Sequence, residues 1–244
     1  MGSCLTTPQK TSDLADKSQA FAAEVGELLA STLGTDKQMA SVQLNDRYAV
    51  RPVGDEPHQQ KIPLYVGQEH VADLLLAIYL TLDRSGTYLK TARADFRVFS
   101  TLDRTPLLRM EYHAGMRVDP VCHWQVHAER GAFTHLLSMA NAIDARRVRR
   151  PHDLSTIHLP VGGERFRPCL EDLIELLIQD CGVDHVPDWE AAVQEGRHRW
   201  RLRQFRSAVR DLQEEAADVL RLEGWTLVPP AELSPAYETP YRRW

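Results

Sequence analysis

Residues 93–129 read RADFRVFSTLDRTPLLRMEYHAGMRVDPVCHWQVHAE, and this stretch decides the fold class. Apolar and polar residues alternate in three runs, at 93–99, 108–113 and 122–129. A period of two is that of a β-strand with one buried face and one polar face. Because the runs are joined by short connections, they predict an antiparallel meander.

The sheet is expected to extend upstream. Residues 72–82 read ADLLLAIYLTL and alternate in the same way, which favours a strand. A helix is the competing interpretation, because the period of so solid an apolar run does not separate the two. Shorter strands are predicted at 42–50 and 62–66. Before them, a helix capped by Ser12 or Asp13 is expected to run to Leu33.

The part of the chain after Gly131 favours helices. They are predicted at 132–145, from Pro168 to about Asp180, and from Pro187 or Asp188 to Leu222, with an interruption at Gly196. If these helices pack on the apolar face of the sheet, the class is α+β.

The same patterns predict a division of the chain into four segments. Residues 1–12 are expected to form a disordered tail, and 13–130 the N-terminal helix with the antiparallel sheet. Residues 131–228 form the helical half, which shares the same core. Residues 229–244, with four prolines, form an extended tail.

Composition narrows the function classes only slightly. The chain has 244 residues, 26% of them charged, and a net charge of −5, so the whole molecule has no general attraction to nucleic acid or to acidic membranes. No secretory signal and no membrane span is visible, and we predict a cytoplasmic protein without membrane contact. The four cysteines match no zinc pattern, and no particular cofactor is indicated.

Histidines cluster on the polar faces of two predicted strands. If 108–113 and 122–129 form a hairpin, Glu111 lies near His123 and His127, which share a face with Glu129. Histidine titrates near neutral pH, a carboxylate orients it, and an arginine holds an anion. The predicted catalytic residues are His123, His127, Glu111, Glu129 and Arg130, with Arg109 as another phosphate anchor.

Two other interpretations of this cluster remain open. The same pattern is typical of the solvent-exposed face of a half-exposed sheet. A metal site is limited by spacing, because His123 and His127 would be about 13 Å apart along a strand. His123 with His113 and Glu111 is the more plausible ligand set, but no metal site is assigned.

A basic stripe is predicted on the long helix near the C-terminus. Arg199, Arg203, Arg206 and Arg210 recur at helical spacing and share one face, with Trp200 and Phe205 interleaved. Such a stripe can contact phosphates while aromatic rings stack on bases. These four arginines are the predicted nucleic-acid-binding residues.

The stripe has two alternatives. The preceding stretch, 171–195, holds eight acidic residues and no basic one, so the acidic and basic segments can pair with each other. An apolar seam also runs through the helix at alternating spacings of three and four, which indicates core packing or a homodimer. Its members are Leu202, Phe205, Val209, Leu212, Ala216 and Val219.

Two functions follow as hypotheses. The leading one is a non-enzymatic intracellular binding or regulatory protein that contacts a protein or a nucleic acid through its charged helices. The alternative is a phosphodiesterase or ribonuclease-like hydrolase that uses the histidine cluster.

The Gly162-Gly163 pair before the predicted helix at Pro168 lacks a phosphate-loop signature and is assigned to a turn.

Overall fold

The computed structural model describes residues 7–56, 60–102, 104–127 and 159–243, together with positions 138, 141, 142, 146, 150 and 153. In that part of the chain, eight strands form one antiparallel sheet in the order β1-β2-β4-β5-β6-β7-β8, with β3 also paired to β4. The predicted α+β class with a meander is confirmed. The strands are β1 Met39–Leu44, β2 Arg47–Pro52, β3 Lys61–Val66, β4 Glu69–Leu82, β5 Leu89–Ser100, β6 Pro106–His113, β7 Cys122–Val126 and β8 Leu159–Pro160.

The long strand β4 settles the ambiguity of the solid apolar run in favour of a strand. Along it, every second side chain from Ala72 to Leu80 is buried, and the residues between are half-exposed. Two strands share one edge of β4: β2 pairs with Ile78–Leu80, and β3 pairs with the half that begins at Glu69. β5 pairs along almost the whole opposite edge.

Three of the described helices contribute buried residues to the core on the apolar face of this sheet. The described helices are α1 Thr7–Leu33, α2 Leu170–Gln179, α3 Trp189–Asp211, α4 Gln213–Leu222 and α5 Thr239–Arg242. Leu29 of α1 and Leu173 of α2 are fully buried in one core cluster with Leu74 and Leu76 of β4. Among the described residues, no helix is long and apolar enough to cross a membrane.

Two predicted helix boundaries were wrong. α1 begins at Thr7, earlier than Ser12 or Asp13 and within the stretch predicted to be a disordered tail. The single helix predicted to reach Leu222 is two helices, and the break lies at Leu212 (φ −130°, ψ 66°) instead of Gly196. α3 continues through Gly196. Glu171 packs against this glycine and leaves no space for a Cβ atom there.

Other predictions fall outside the described residues or change slightly. Most of the helix predicted at 132–145 and the tail before Thr7 lie outside the described ranges. The extended tail after residue 229 is mostly exposed, as expected, but ends in the short helix α5. The glycine pair after β8 does form a turn: Gly162 has a φ of +60°, and a Cβ atom there would collide with the backbone of Phe166.

Candidate functional site

The polar face of the sheet lies opposite the helices and carries the predicted histidine cluster. Glu111 of β6 lies between Asp95 of β5 and His123 of β7, and Arg109 lies opposite Gln125. The alternation of each strand places these side chains on the face away from Met110 and Tyr112. The register therefore brings Glu111 and His123 together across neighbouring strands.

A chain of alternating charges runs across this face. Arg93 contacts Asp95 at 2.7 Å, Arg97 contacts Glu111 at 2.8 Å, and Nε2 of His123 lies 3.7 Å from Glu111. Nδ1 of His123 lies 2.9 Å from the carbonyl oxygen of Pro120. Since a carbonyl only accepts, we assign the Nδ1 proton to this bond, which leaves Nε2 facing the carboxylate.

The two central groups shift each other's pKa in the direction expected of an ion pair. The approach of His123, assisted by Arg97, lowers the pKa of Glu111 to about 2 against the cost of burial. Burial alone would favour neutral His123, but Glu111 and the Pro120 carbonyl raise its pKa overall. Each of the two groups therefore favours the charged form of the other.

The remaining predicted catalytic residues are less well assembled. His127 follows β7, and its pKa is lowered by burial and by the nearby charge of Arg109. Among the described residues, no hydrogen-bond partner is found for three buried atoms on this side: Nε of Arg109, Oε1 of Gln125 and Nε2 of His127. Glu129 and Arg130 lie outside the described residues. Across the described ranges, no group of three His, Cys, Asp or Glu residues is arranged to hold a metal ion.

Much of the predicted arginine stripe on α3 is used inside the molecule. Arg203 makes a two-pronged contact with Glu24 of α1 at 2.6 and 2.9 Å, and Arg199 lies 3.6 Å from the same carboxylate. Arg210 lies with its guanidinium 4.0 Å from the ring centre of Tyr88. Arg206 has no ion pair with any described residue. The four arginines thus do not form one free cationic face.

The acidic stretch predicted to neutralise the basic helix contributes through a different arginine. Arg197 of α3 contacts Asp172 at 2.8 Å and also Glu175, both on α2. This is the intramolecular pairing that the charge pattern indicated. It joins α2 to α3 and leaves the far end of α3 free to form one wall of a cleft.

That cleft lies between α1, α3, the β4–β5 turn and the C-terminal segment, and it holds about 2050 Å³ of space, part of it open to solvent. Seven cationic side chains line it against four carboxylates: Lys17, Arg84, Lys90, Arg165, Arg167, Arg203 and Arg210 against Glu24, Asp83, Glu164 and Asp211. Five aromatic rings also line it: Phe21, Tyr88, Tyr112, Trp200 and Tyr237.

Arg167 is the most unusual group in the cleft wall. Its side chain is 7% exposed and stacked between two rings, with the guanidinium carbon 3.9 Å from the ring centre of Tyr112 and 4.6 Å from that of Trp200. It donates to the backbone oxygen of Glu164 and, at 3.5 Å, to Gln204. No carboxylate of the described residues lies within 4.0 Å of it.

Arg165, two positions before Arg167, has the close ion pairs that Arg167 does not have with the described residues. Arg165 contacts Glu164 at 3.0 Å and Asp211 at 2.6 Å, so its charge is balanced at close range. Burial lowers the pKa of Arg167 from its ordinary value, with the charge of Tyr112 as the first opposing effect. An arginine nevertheless stays protonated at neutral pH. Arg167 is therefore a buried cation held in place by π-faces and a carbonyl. No carboxylate of the described residues contacts it directly, and Glu164 acts on its charge only from beyond 4.0 Å.

Comparison of the chain with protein-family models, with curated proteins and with solved structures found no match. Sequence reasoning also missed Arg167. The one local signal was a pair of arginines, Arg165 and Arg167, directly after a glycine turn. Nothing in the sequence indicates that a ring from β6 and a ring from α3 meet around the second of them.

Proposed function

We propose that the protein is a cytoplasmic, non-enzymatic binding protein that holds a single-stranded nucleic acid in this cleft, with Arg167 as the phosphate anchor. The observation that carries the proposal is the buried guanidinium of Arg167, which no carboxylate of the described residues contacts within 4.0 Å. Burying a charge without a counter-ion lowers the free energy of unfolding by roughly several kcal/mol. A bound phosphate would supply the missing negative charge, and its two oxygens match the fork of a guanidinium.

The rest of the cleft favours a nucleic acid over an acidic protein segment. Two rings at the rim each carry a guanidinium on one face, Arg210 on Tyr88 and Arg84 on Tyr237, both at 4.0 Å. Such pairs combine a positive charge with a flat surface. The positive charge can bind a phosphate, and the flat ring can stack on a base. An acidic peptide would use only the positive charge.

The proposal is tested by fluorescence anisotropy with a labelled single-stranded RNA and the matching duplex. We expect the single strand to bind more tightly and the affinity to fall with added salt. Arg84→Gln should weaken binding several-fold and reduce the slope of log affinity against log salt by about 0.7, the value for one phosphate contact on a single strand.

The matched control is Arg104→Gln, because Arg104 is also exposed but lies in the turn between β5 and β6, outside the cleft. It should leave the affinity and the salt slope unchanged. If neither RNA binds at low salt, or if both variants weaken binding equally, the cleft is not the binding site. Displacement of the RNA by an acidic peptide at similar concentration would point to a protein partner.

The polar sheet face supports a second candidate, a phosphodiesterase or ribonuclease-like hydrolase. The observation in its favour is the set of three buried atoms that have no hydrogen-bond partner among the described residues, on the same face of the sheet as the His123–Glu111 pair. In this mechanism Nε2 of His123 or His127 moves the proton, Glu111 or Glu129 orients the imidazole, and Arg109 or Arg130 holds the phosphate. His123→Ala and His127→Ala should each reduce RNA cleavage by at least about 100-fold. Cleavage that survives both changes excludes this candidate.

A further inference from the structure

One edge of the Arg167 guanidinium is available to a ligand. Its Nη1 donates to the backbone oxygen of Glu164 and, more weakly, to Gln204. The other two nitrogens, Nε and Nη2, have no acceptor among the described residues, and neither belongs to the fully buried atoms that lack a partner there. Both therefore keep some accessible surface. In a guanidinium, Nε–H and one N–H of Nη2 point the same way, and this pair matches two oxygens of one phosphate.

Arg167 also lies where the cleft ends. Its side chain lines both the cleft and a smaller pocket between α1, α3 and the sheet, whose walls are mostly apolar and include Val25, Ile78 and Phe96. The centre of a water-sized group can occupy about 60 Å³ of this pocket, against about 720 Å³ of the cleft. A nucleotide is many times larger than a water molecule, and its charge would have to leave water to enter an apolar pocket. A strand that enters the cleft therefore cannot continue past Arg167.

The end of a strand reaches such a point more easily than its interior. An internal phosphodiester has a nucleotide on each side, so one neighbour would have to enter the cleft and the other to leave it beside the guanidinium. Tyr112 and Trp200 lie against that guanidinium and restrict the space. A terminal phosphate monoester has a nucleotide on one side only, and its three free oxygens can approach the open edge directly.

The charge of the cleft wall also fits a terminal phosphate. A phosphate monoester carries a charge of about −1.5 to −2 at neutral pH, more than the single charge of a phosphodiester. The seven cationic side chains of the wall exceed its four carboxylates by three charges. Two of these cations, Arg84 and Arg210, have no ion pair with a described residue and lie on tyrosine rings at the rim. The surplus is thus sufficient for a doubly charged end and for the next phosphate of the strand.

We propose that Arg167 binds the terminal phosphate monoester of the strand, so that the protein recognises a phosphorylated end of a single-stranded nucleic acid. This inference rests on the proposed function and adds which part of the strand reaches Arg167. Nε and Nη2 donate to two oxygens of the terminal phosphate. The strand then runs outward along the cleft, past Arg84 and Arg210.

The inference is tested by fluorescence anisotropy with one RNA sequence, labelled at an internal position. It is prepared with a 5′-phosphate, with a 3′-phosphate, with hydroxyl groups at both ends, and closed into a circle. We expect one phosphorylated form to bind at least about ten-fold more tightly than the hydroxyl and circular forms, because only its end forms the charged hydrogen bonds with Arg167. The form that binds best identifies which end of the strand is recognised.

Two variants connect this preference to Arg167. Arg167→Met should remove it, so that all forms bind with the same reduced affinity, while the far-UV circular dichroism stays that of the original protein. Arg84→Gln is the matched control, because Arg84 is also a cation of the cleft wall but lies at the rim. It should weaken every form several-fold and keep the preference for the phosphorylated end.

The outcomes separate this inference from the proposed function. Equal affinity for the phosphorylated, hydroxyl and circular forms overturns the inference but leaves the cleft as a site for the interior of a strand. A preference that survives Arg167→Met also overturns it, because another residue then binds the terminal phosphate. If no form binds at low salt, the proposed function fails and the inference fails with it.

Discussion

Arg167→Met is expected to weaken nucleic-acid binding at least ten-fold without lowering the free energy of unfolding. Methionine keeps an unbranched apolar stem between Tyr112 and Trp200 but removes the buried charge. Replacing a buried ion pair by apolar side chains of similar volume is often neutral or stabilising by about 1–4 kcal/mol, and we expect a buried ion without a close partner to follow the same direction. Losing the two cation–π contacts offsets about 1–2 kcal/mol of that gain. We expect stability equal to the original or slightly higher, and affinity reduced at least ten-fold.

The matched control is Arg165→Met, only two positions away and also largely buried. Arg165 balances Glu164 and Asp211, so its removal leaves the buried Asp211 without a cation among the described residues and leaves Glu164 with only the longer contact to Lys90 at 3.6 Å. That change should lower the free energy of unfolding by about 3 kcal/mol. Urea unfolding measures both variants, and anisotropy measures binding. If Arg167→Met destabilises as much as Arg165→Met, Arg167 is a structural cation and the proposed phosphate site loses its anchor.

The strand pattern is sufficient to predict how the polar sheet face is assembled. A period of two fixes which side chains share a face, and short connections fix antiparallel pairing. Together these two features predict that Glu111 lies beside His123, and the register of β6 and β7 confirms it. The same rule identified β4, where an apolar run of residues allowed a helix. Local periodicity is sufficient here because the position of a residue along its strand, together with the register of pairing, determines the face on which its side chain lies.

The arginines show where sequence reasoning fails. The spacing of Arg199 and Arg203 correctly places them on one side of α3, but their neutralisation by Glu24 depends on how α1 packs against α3. That contact joins distant parts of the chain, and no periodicity encodes it. Arg167 was missed for the same reason. The break at Leu212 was missed because neither glycine nor proline marks it.

Glu111→Gln is expected to lower the free energy of unfolding by about 3 kcal/mol near pH 6. Glutamine is nearly the same size but has no charge, so Arg97 and the His123 imidazolium lose their shared carboxylate. Breaking a buried ion pair from one side typically costs about 3–5 kcal/mol. The matched control is Glu195→Gln, which removes an exposed ion pair with Arg199 and should change stability by less than about 1 kcal/mol.

The pH dependence of this difference identifies its cause. Folding lowers the pKa of Glu111 from 4.5 to about 2, so its contribution is complete above pH 4.5 and is lost as the pH falls toward 2. Folding raises the pKa of His123 above 6.5, so its contribution is complete below pH 6.5 and is lost as the pH rises through the folded value. The gap between the original protein and Glu111→Gln should therefore be widest between about pH 4.5 and 6.5 and narrow on both sides. Urea unfolding across this range measures it, and a gap that does not vary with pH would mean that Glu111 stabilises the sheet by packing and not through its charge.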